Sequence, residues 1–551
     1  MIVGIDIGGT HTDAVCIRGR KVIATAKTVT GDDLVQTIRE AIGALSIDYA
    51  RIKRTVLSTT LSTNAITEKK YAPAGMIVSA GPGIDPSRYF FTDDFHLVKG
   101  AIDHRGREYV PIDPGEIGRV ADGLKKKGIT GVGVVSKFSV RNPSHETSIC
   151  SLIEKDFEHV SLGHTLSGNL NFPRRIHTTF FNTAVMPVQK RFVQSVRKAL
   201  AELGIRSPLF FLKADGGTFS DSAADRHPVE TILSGPAASM MGGLALCDDL
   251  EATTLMLDIG GTTTDIGVLI KGIPVLEPQG VDIGGYKTLV RGLKVISVGV
   301  GGDSRVSISG RDIQVGPHRD GPPVCMGGPS PTPMDALAVL GQLPQGDREK
   351  AVRAIAPIAG QLGQDISEVS RRIVSIMVGV IRESAREFID EVNRYPVYTI
   401  FEMLHPEVVD PDRVMAIGGP AELLSPFIEE SFGMRCMVPD HAMVANALGA
   451  AIARTTRQIT LTADTQLRRM ICPELGMDEK ISPTMSMDEL KKRGERALRE
   501  NASRLGILDK GEISIIEEQV FNIVRGFSTT GKNMRLKLQT KPGVIDEWSE
   551  A

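Results

Sequence analysis

The sequence predicts an α/β protein in which two related domains stand in tandem and a small α+β segment follows. Three observations predict it. A strand–turn–strand motif near the N-terminus returns almost unchanged near residue 258. Apolar strands alternate with amphipathic helices along most of the chain, the pattern of mixed α/β domains. The 551 residues also exceed what one hydrophobic core organises, because a domain holds roughly 100–200 residues. The division that follows is 1–185 for the first domain, 186–460 for the second and 461–551 for the C-terminal segment.

The repeated motif comes first. Asp6-Ile7-Gly8-Gly9-Thr10-His11-Thr12-Asp13 matches Asp258-Ile259-Gly260-Gly261-Thr262-Thr263-Thr264-Asp265 at all but one position. Ile2, Val3 and Ile5 precede the first copy and Leu255, Met256 and Leu257 the second. Ala14, Val15 and Ile17, and then Ile266, Val268, Leu269 and Ile270, follow them. Apolar β-formers on both sides of a Gly-Gly-Thr turn predict a hairpin opening each domain. The copies lie far beyond the roughly 20–50-residue period of a solenoid, so they mark domains and not stacked repeats.

After the first copy the pattern predicts a third strand over 21–28 and an amphipathic helix over 32–45 with Asp32 as its cap. Strands at 54–58, 74–79 and 132–135 alternate with helices at 114–127 and 144–157. Long helices are predicted over 182–203 and 367–393. In the second, Ile373, Ile376, Met377 and Val380 form a core-facing stripe, and Tyr395-Pro396 ends it. The Gly- and Pro-rich stretch 316–333 reads as a functional or connecting loop. A strand at 414–417, a Gly-Gly turn and a helix at 423–432 come next, then a small-residue helix at 444–452 suited to close packing. Beyond Leu461 a helix at 486–505 and a strand at 512–524 precede a frayed C-terminus.

Composition narrows the function classes. Hydrophobic residues make up 41% and charged residues 24%, values typical of folded globular chains, so disorder and fibrous architectures are excluded. The net charge is −2 and the basic residues are scattered, whereas nucleic-acid binding needs a concentrated basic face. Lys69-Lys70 and Lys125-Lys126-Lys127 read as solvated surface. Cys16, Cys150, Cys247, Cys325, Cys436 and Cys472 lie far apart with no C-x-x-C pair, which argues against zinc and disulfides and for a reducing, cytoplasmic setting. The N-terminus enters a strand directly, without the pattern of a signal peptide. No stretch offers the roughly 20 apolar residues of a membrane span.

The hairpin motif has the chemistry of a phosphate clamp. Gly8, Gly9, Gly260 and Gly261 let backbone N–H groups approach phosphate oxygens, and the hydroxyls of Thr10, Thr12, Thr262, Thr263 and Thr264 add hydrogen bonds. One copy reads equally as a tight turn; two copies point to two loops gripping one polyphosphate. Asp6 and Asp258, at strand ends, suit Mg²⁺ held through water, since that cation takes carboxylate and phosphate oxygens. Asp13 and Asp265 follow the turn, where an aspartate either bonds its own loop or takes part in catalysis.

Further candidates lie between and beyond the hairpins. Gly301 and Gly302, within 299–304, belong to a glycine-rich loop that suits phosphate. At Gly418 and Gly419, between strand and helix, a purine or ribose can approach the backbone. Thr59, Thr60, Thr63 and Asn64 cluster after a strand, fit either for substrate hydrogen bonds or for a helix-capping turn. Asp215, in Asp215-Gly216-Gly217, either orients substrate or metal or serves its own turn. Ser234 reads as a helix N-cap, and His11 as solvent-facing.

Two such hairpins with a late Gly-Gly turn resemble the actin, sugar-kinase and heat-shock ATPase superfamily. The resemblance implies two ribonuclease-H-like lobes with mixed sheets, a nucleotide cleft between them, and ATP with Mg²⁺. More narrowly, the chain resembles the hydantoinase/oxoprolinase family over roughly residues 1–452. The segments that carry this are Leu57-Ser58-Thr59-Thr60-Leu61-Ser62-Thr63-Asn64-Ala65, Lys213-Ala214-Asp215-Gly216-Gly217-Thr218 and Thr231-Ile232-Leu233-Ser234-Gly235-Pro236-Ala237-Ala238. Val298-Gly299-Val300-Gly301-Gly302-Asp303-Ser304 and Gly327-Gly328-Pro329 with Asp335 complete the set. Sugar kinases share the hairpins but not the Asp-Gly-Gly and Leu-Ser-Gly-Pro-Ala-Ala segments in this order. Many members of the family carry a histidine just after the late Gly-Gly turn, whereas Gly419 is followed here by Pro420-Ala421-Glu422-Leu423.

The family resemblance implies an ATP-dependent hydrolase of a cyclic amide, a hydantoin or 5-oxoproline-like lactam, that phosphorylates the carbonyl oxygen of its substrate. Asp6, Asp13, Asp258, Asp265 and Asp215 are then the catalytic candidates, Asp6 and Asp258 the metal ligands, and Thr59, Thr60, Thr63 and Asn64 the substrate ligands. A B-type partner subunit is implied too, since a chain of this length has no room for a fused one; a homo-oligomer is the other assembly. The competing readings are an acetone-carboxylase-type subunit, a small-molecule kinase and a regulatory ATPase.

Overall fold

The computed structural model describes all residues except 278, 395–407, 505–511, 541, 546–547 and 549–551. Its contacts form two compact units, Met1–Gly235 with Glu277–Gly292 and Ala450–Ala551, and Pro236–Leu276 with Leu293–Gly449. This partition departs from the linear boundaries at 185 and 460. Helix Phe172–Glu202 runs unbroken through residue 185, and Leu209–Leu212 pairs into the sheet that begins at Ile2. The C-terminal segment is likewise tied into the first unit, where Arg105 reaches Asp464 at 2.9 Å.

In the first unit the leading sheet has the order Thr218–Ser220, Leu209–Leu212, Arg54–Thr59, Ile2–Ile7, His11–Arg18, Lys21–Val29. Ile2–Ile7, His11–Arg18 and Lys21–Val29 are antiparallel neighbours, while Arg54–Thr59 and Leu209–Leu212 run parallel to Ile2–Ile7. That mixed order is ribonuclease-H-like. Ile2–Ile7 is buried at every residue, as its near-continuous apolar run requires of a central strand. Val3, Ile5, Leu57 and Phe211 pack there against Ile38, Ile42, Phe192 and Val196 from helices Leu34–Ala44 and Phe172–Glu202. A parallel sheet of Phe95–Leu97, Ala74–Ser79, Gly131–Ser136 and His159–Leu162 adjoins the same long helix. A five-stranded antiparallel sheet with helix Met487–Arg504 closes the unit.

The second unit repeats the scheme. Ile273–Pro274, Thr264–Ile270 and Thr254–Ile259 are antiparallel neighbours, and Arg413–Ile417 and Cys436–Met437 extend the sheet in parallel. Helices Pro333–Val339, Arg348–Leu362, Ile366–Asn393 and Ala421–Phe432 supply its core. Among the described residues no helix is long and apolar enough to cross a membrane.

Some expectations shift. Asp33, not Asp32, caps the first helix, accepting from the N–H groups of Val35 at 2.9 Å and Gln36 at 3.2 Å. The helix expected from 182 begins at Phe172, capped by Asn171. Its β-branched, polar first turns hid it, but Thr178, Thr179 and Thr183 donate their hydroxyls to carbonyls one turn back at 2.7–2.8 Å, which removes the cost of burying them. The helix at 144 stops at Ile153. In Ile366–Asn393, Ile373 and Met377 are buried but Val380 is 39% exposed, and Val374, Val378 and Ile381 carry the stripe instead. Tyr395-Pro396 lies outside the described residues. Strand Ser528–Thr540, which pairs with Ile513–Arg525, was not apparent from the pattern.

Candidate functional site

The two repeated segments fold into the same turn. Gly8 N–H donates to His11 O at 3.0 Å, and Gly260 N–H to Thr263 O at 2.9 Å. Asp6 stands opposite Asp13 and Ile7 opposite Thr12; in the second copy Asp258 stands opposite Asp265 and Ile259 opposite Thr264. Residues directly opposite across an antiparallel pair project on one face. Each hairpin therefore carries two carboxylates on the same side, an arrangement that repels itself unless cations or donors intervene. In the first, Lys27 reaches Asp13 at 3.0 Å.

The threonines divide by role. Thr10, Thr262 and Thr263 are exposed at the turn tips, as are Gly9 and His11. Thr12 and Thr264 are fully buried, so the expectation that they face a ligand gives way. The Thr12 hydroxyl meets that of Thr30 at 2.9 Å, and the Thr264 hydroxyl donates to Val300 O at 2.8 Å. Both anchor the hairpin to the next loop.

That anchor gathers the distant glycine segments of the second unit. Gly302 N–H donates to Gly260 O at 3.0 Å and Asp303 N–H to Gly261 O at 2.8 Å. A Cβ on Gly301 would lie 2.6 Å from Gly260 O, so only glycine allows the two loops to touch. Gly418 sits at φ +95 with its virtual Cβ 2.3 Å from Ile259 O and 2.9 Å from Asp258 Oδ1. The turns at 260–263, 299–304 and 418–419 thus converge at the carboxyl end of Thr254–Ile259, the usual ligand edge of a parallel strand pair.

Asp258 is held at the centre. Ser239 Oγ donates to its Oδ2 at 2.5 Å and Asn446 Nδ2 at 3.2 Å. Those donors arrive because two small-residue helices, Ser234–Leu246 and Ala445–Ile452, pack backbone to backbone; a Cβ on Gly242 would lie 2.1 Å from Ala445 O, and one on Gly449 2.1 Å from Ala238 O. The close packing expected at 444–452 is present. Ser239, Asn446 and Arg319, which reaches Asp303 at 2.9 Å, were not apparent from the sequence, whereas Asp303 lies in the glycine-rich segment 298–304 that carries the family resemblance. A lone amide inside the run Val444-Ala445-Asn446-Ala447-Leu448 was the available signal.

In the first unit Asp6, Thr59-Thr60 and Asp215 follow or end the parallel strands Ile2–Ile7, Arg54–Thr59 and Leu209–Leu212, at one sheet edge. Thr59 is buried, and its main chain exchanges hydrogen bonds with the Ser234 hydroxyl, which donates to Thr59 O at 2.8 Å. Thr63 Oγ1 accepts from Leu233 N–H at 2.9 Å. These contacts brace the 231–234 segment, and Ser234 serves Thr59 and not its own helix. Thr60 is half-buried and Asn64 exposed, beside one another at the start of helix Leu61–Thr67.

Asp215 stands in a different environment, buried at 3% exposure. Gly217 N–H donates to Oδ1 at 2.9 Å, Thr456 Oγ1 to Oδ2 at 3.2 Å, and Lys213 Nζ lies 3.3 Å away. Burial pushes the Asp215 carboxyl up, but the Lys213 ammonium, the Arg291 guanidinium and the Gly217 N–H together hold it below the usual carboxylate range. Asp335 is structural: buried, it accepts from Val324 N, Cys325 N and the Thr332 N–H and hydroxyl at 2.7–3.0 Å.

The donor set around Asp258 fits a nucleotide's phosphates. Backbone N–H groups, exposed threonine hydroxyls and a carboxylate are hard ligands that suit phosphate and Mg²⁺, and Gly419 faces open space where a Cβ would meet nothing within 4 Å. Among the described residues no three or more His, Cys, Asp or Glu side chains cluster as a metal cage, so a cation here depends on water and phosphate for most of its ligands. The six cysteines are free.

The hydantoinase/oxoprolinase family model matches residues 175–459, and the model of the hydantoinase/oxoprolinase N-terminal region matches residues 2–157. The chain is 26% identical over 423 residues to the caprolactamase subunit alpha of Pseudomonas jessenii, covering 68% of this chain and 61% of that protein; it thus spans about three fifths of that relative's length. The solved structure of ATP-dependent caprolactamase from Pseudomonas jessenii shares its fold with a TM-score of 0.72 at 20% identity, over 99% of this chain and 87% of the other. Nucleotide-free acetone carboxylase does so with a TM-score of 0.71 at 17% identity, over 99% and 88%.

Proposed function

Because the chain belongs to the hydantoinase/oxoprolinase family, we propose that it is an ATP-dependent hydrolase subunit that opens a cyclic amide, a hydantoin or 5-oxoproline-like lactam. A family that includes an ATP-dependent caprolactamase supports ATP-driven lactam hydrolysis at that coarse level. The observation that carries the reading is the convergence of the 260–263, 299–304 and 418–419 turns around Asp258.

Amide resonance makes a lactam carbonyl a poor electrophile. Transfer of the γ-phosphoryl group of bound ATP to the carbonyl oxygen would release ADP and activate the carbonyl carbon; a first water then adds at that carbon and the C–N bond breaks as the nitrogen takes a proton, leaving an acyl phosphate that a second water hydrolyses to carboxylate and free phosphate. The protein's part is positioning and charge neutralisation. Backbone N–H groups of Gly261, Thr262 and Thr263, with the Thr262 and Thr263 hydroxyls, would hold phosphate oxygens; Gly301 and Gly302 would serve the site by letting the 299–304 loop, whose N–H groups at 300–304 bond within the protein, pack under that turn, and Gly8, Gly9 and Thr10 form the matching turn. Asp6 and Asp258 are the proposed anchors for Mg²⁺, which would neutralise phosphate charge when bound. Asp13 and Asp265 share their faces. Thr60 and Asn64, whose side chains remain accessible, are the proposed substrate contacts, and Asp215 an orienting carboxylate.

We further propose a B-type partner subunit, a reading supported by the relative being named a subunit. The test is a screen of lactams, hydantoins and ketones for stimulated ADP release, with and without a candidate partner. Lactam-stimulated ADP release coupled to ring opening only with the partner is expected; ring opening by the chain alone would overturn the partner, and stimulation by ketones with bicarbonate alone would favour the carboxylase reading that similarity to acetone carboxylase keeps in view.

A further inference from the structure

The first unit encloses a cavity of about 120 Å³ that includes Asp215 but none of the residues of the first hairpin or of the 59–64 cluster. A single water needs roughly 10–15 Å³ in the same measure, so the space admits a ligand of at most about eight to twelve non-hydrogen atoms. Its wall combines apolar side chains, Leu166, Phe219, Val229 and Leu289 among them, with Lys213, Arg291, Arg457, Asp215, Glu230 and Glu474.

The charges on that wall are unevenly paired. Lys213 serves two carboxylates, Asp215 at 3.3 Å and Glu230 at 3.5 Å. Arg291 hydrogen-bonds only the neutral amides of Gln458 and Gln539, and Arg457 only the main-chain carbonyl of Glu474. Neither guanidinium forms an ion pair among the described residues. Glu474 gives little compensation: its carboxyl accepts from Gly168 N–H at 3.0 Å, and burial pushes it up toward the neutral form. Burial also pushes both Arg291 and Arg457 down. Asp215 faces Arg291, and Glu230 and Glu474 face Arg457, beyond ion-pair distance; with Glu474 pushed toward neutral, three cations share two carboxylates, and such an enclosed surplus charge is costly unless a ligand balances it. On the same wall His227 Nδ1 is buried without a hydrogen-bond partner.

We propose that this cavity binds a small monocarboxylate, its carboxylate on Arg291 and Arg457 and a short aliphatic body against Leu166, Phe219, Val229 and Leu289. A carboxylate fits better than phosphate because the Asp215 and Glu230 side of the cavity would repel a second negative charge, and because planar guanidinium groups match a planar carboxylate. The site would serve substrate or regulator alike, and it does not depend on the nucleotide reading above.

The test is calorimetric titration and thermal unfolding of the full chain with pentanoate, pentanamide and inorganic phosphate at constant ionic strength, without nucleotide. Pentanoate is expected to bind saturably and raise the unfolding temperature, while pentanamide and phosphate do neither. Arg291→Gln and Arg457→Gln should each weaken pentanoate by at least about tenfold, and Arg457→Lys, which keeps the charge and guards against a folding defect, by less. No saturable pentanoate binding, equal binding of pentanamide, tighter binding of phosphate, or undiminished binding in both glutamine variants would each overturn the assignment.

Discussion

Asp258→Asn separates a ligand-binding carboxylate from a structural one. In the apoprotein the substitution keeps the shape of the side chain but removes the charge from the acceptor of Ser239 at 2.5 Å and Asn446 at 3.2 Å. Losing that charge assistance costs roughly 1–2 kcal/mol, since hydrogen bonds to charged groups exceed neutral ones by about that margin. Relief of repulsion from Asp265, directly opposite on the hairpin, returns about 0.2–1 kcal/mol. The apoprotein should therefore lose only about 1 kcal/mol. The bound state should change far more. At a hundredfold excess over Kd, MgATP stabilises the wild-type chain by about 2.7 kcal/mol, or roughly 5–10 °C in a unit of about 200 residues. In Asp258→Asn that shift should disappear, and lactam-stimulated ADP release should fall by about 100- to 1,000-fold. Thermal unfolding with and without MgATP, beside an ADP-release assay, reads both effects. A variant with the full nucleotide shift and wild-type turnover would refute the placement of nucleotide at the second hairpin. A large apoprotein loss with unchanged nucleotide affinity would make Asp258 a brace for Ser239 and Asn446.

Other expected outcomes follow from local geometry. Gly9→Ala adds a methyl group where nothing lies within 4 Å, so stability should stay within about 0.5 kcal/mol while nucleotide affinity drops; equal affinity in a titration would remove Gly9 from the phosphate clamp. Gly301→Ala forces a methyl group 2.6 Å from Gly260 O and should cost about 1–3 kcal/mol together with affinity, whereas a neutral denaturation midpoint would mean that the loops do not touch. Asp335→Ala leaves two buried N–H groups, a partly buried one and a buried hydroxyl without their acceptor and should lower stability by about 3 kcal/mol or more, with nucleotide affinity kept in the folded fraction. Burial depresses His96, His159, His177 and His227 below their ordinary 6.5. The unfolded chain then takes up protons that the folded chain resists, so these groups favour folding fully above about pH 6.5 and lose that contribution as pH falls toward their folded values; replacing His159 and His227 by Gln should flatten the acid side of the stability curve.

The hairpins were legible because everything that shapes them is local. Gly8-Gly9-Thr10 and Gly260-Gly261-Thr262 sit between apolar runs whose burial requires strands, and the turn closes through residues three apart. Helix Phe172–Glu202 was only half legible, since its first turns carry Thr178, Thr179 and Thr183, residues that disfavour helices until their hydroxyls find carbonyls one turn back. The unit boundaries were illegible for another reason. Leu209–Leu212 looks like any buried strand, and only its pairing with Arg54–Thr59 assigns it to the first sheet. Arg291 and Arg457 come from segments far apart in the chain and meet one cavity, which no spacing rule could join.

The repeated motif combines two demands that its sequence does not separate. Eight nearly identical residues look like eight equivalent votes for ligand binding, yet the buried pair Thr12 and Thr264 is retained by architecture, through Thr30 in one copy and Val300 in the other. Alternation along a strand puts Thr12 and Asp13, or Thr264 and Asp265, on opposite faces, so the threonine points inward because the aspartate next to it points the other way. The carboxylate pair and the hydroxyl anchor are thereby coupled: the hydrogen bond that draws Val300 toward the hairpin is also what brings Gly301 and Gly302 over Gly260, beside Asp258. A substitution at Thr264, which touches no proposed ligand, should on this reasoning weaken nucleotide binding as well as stability, because it releases the loop that completes the clamp.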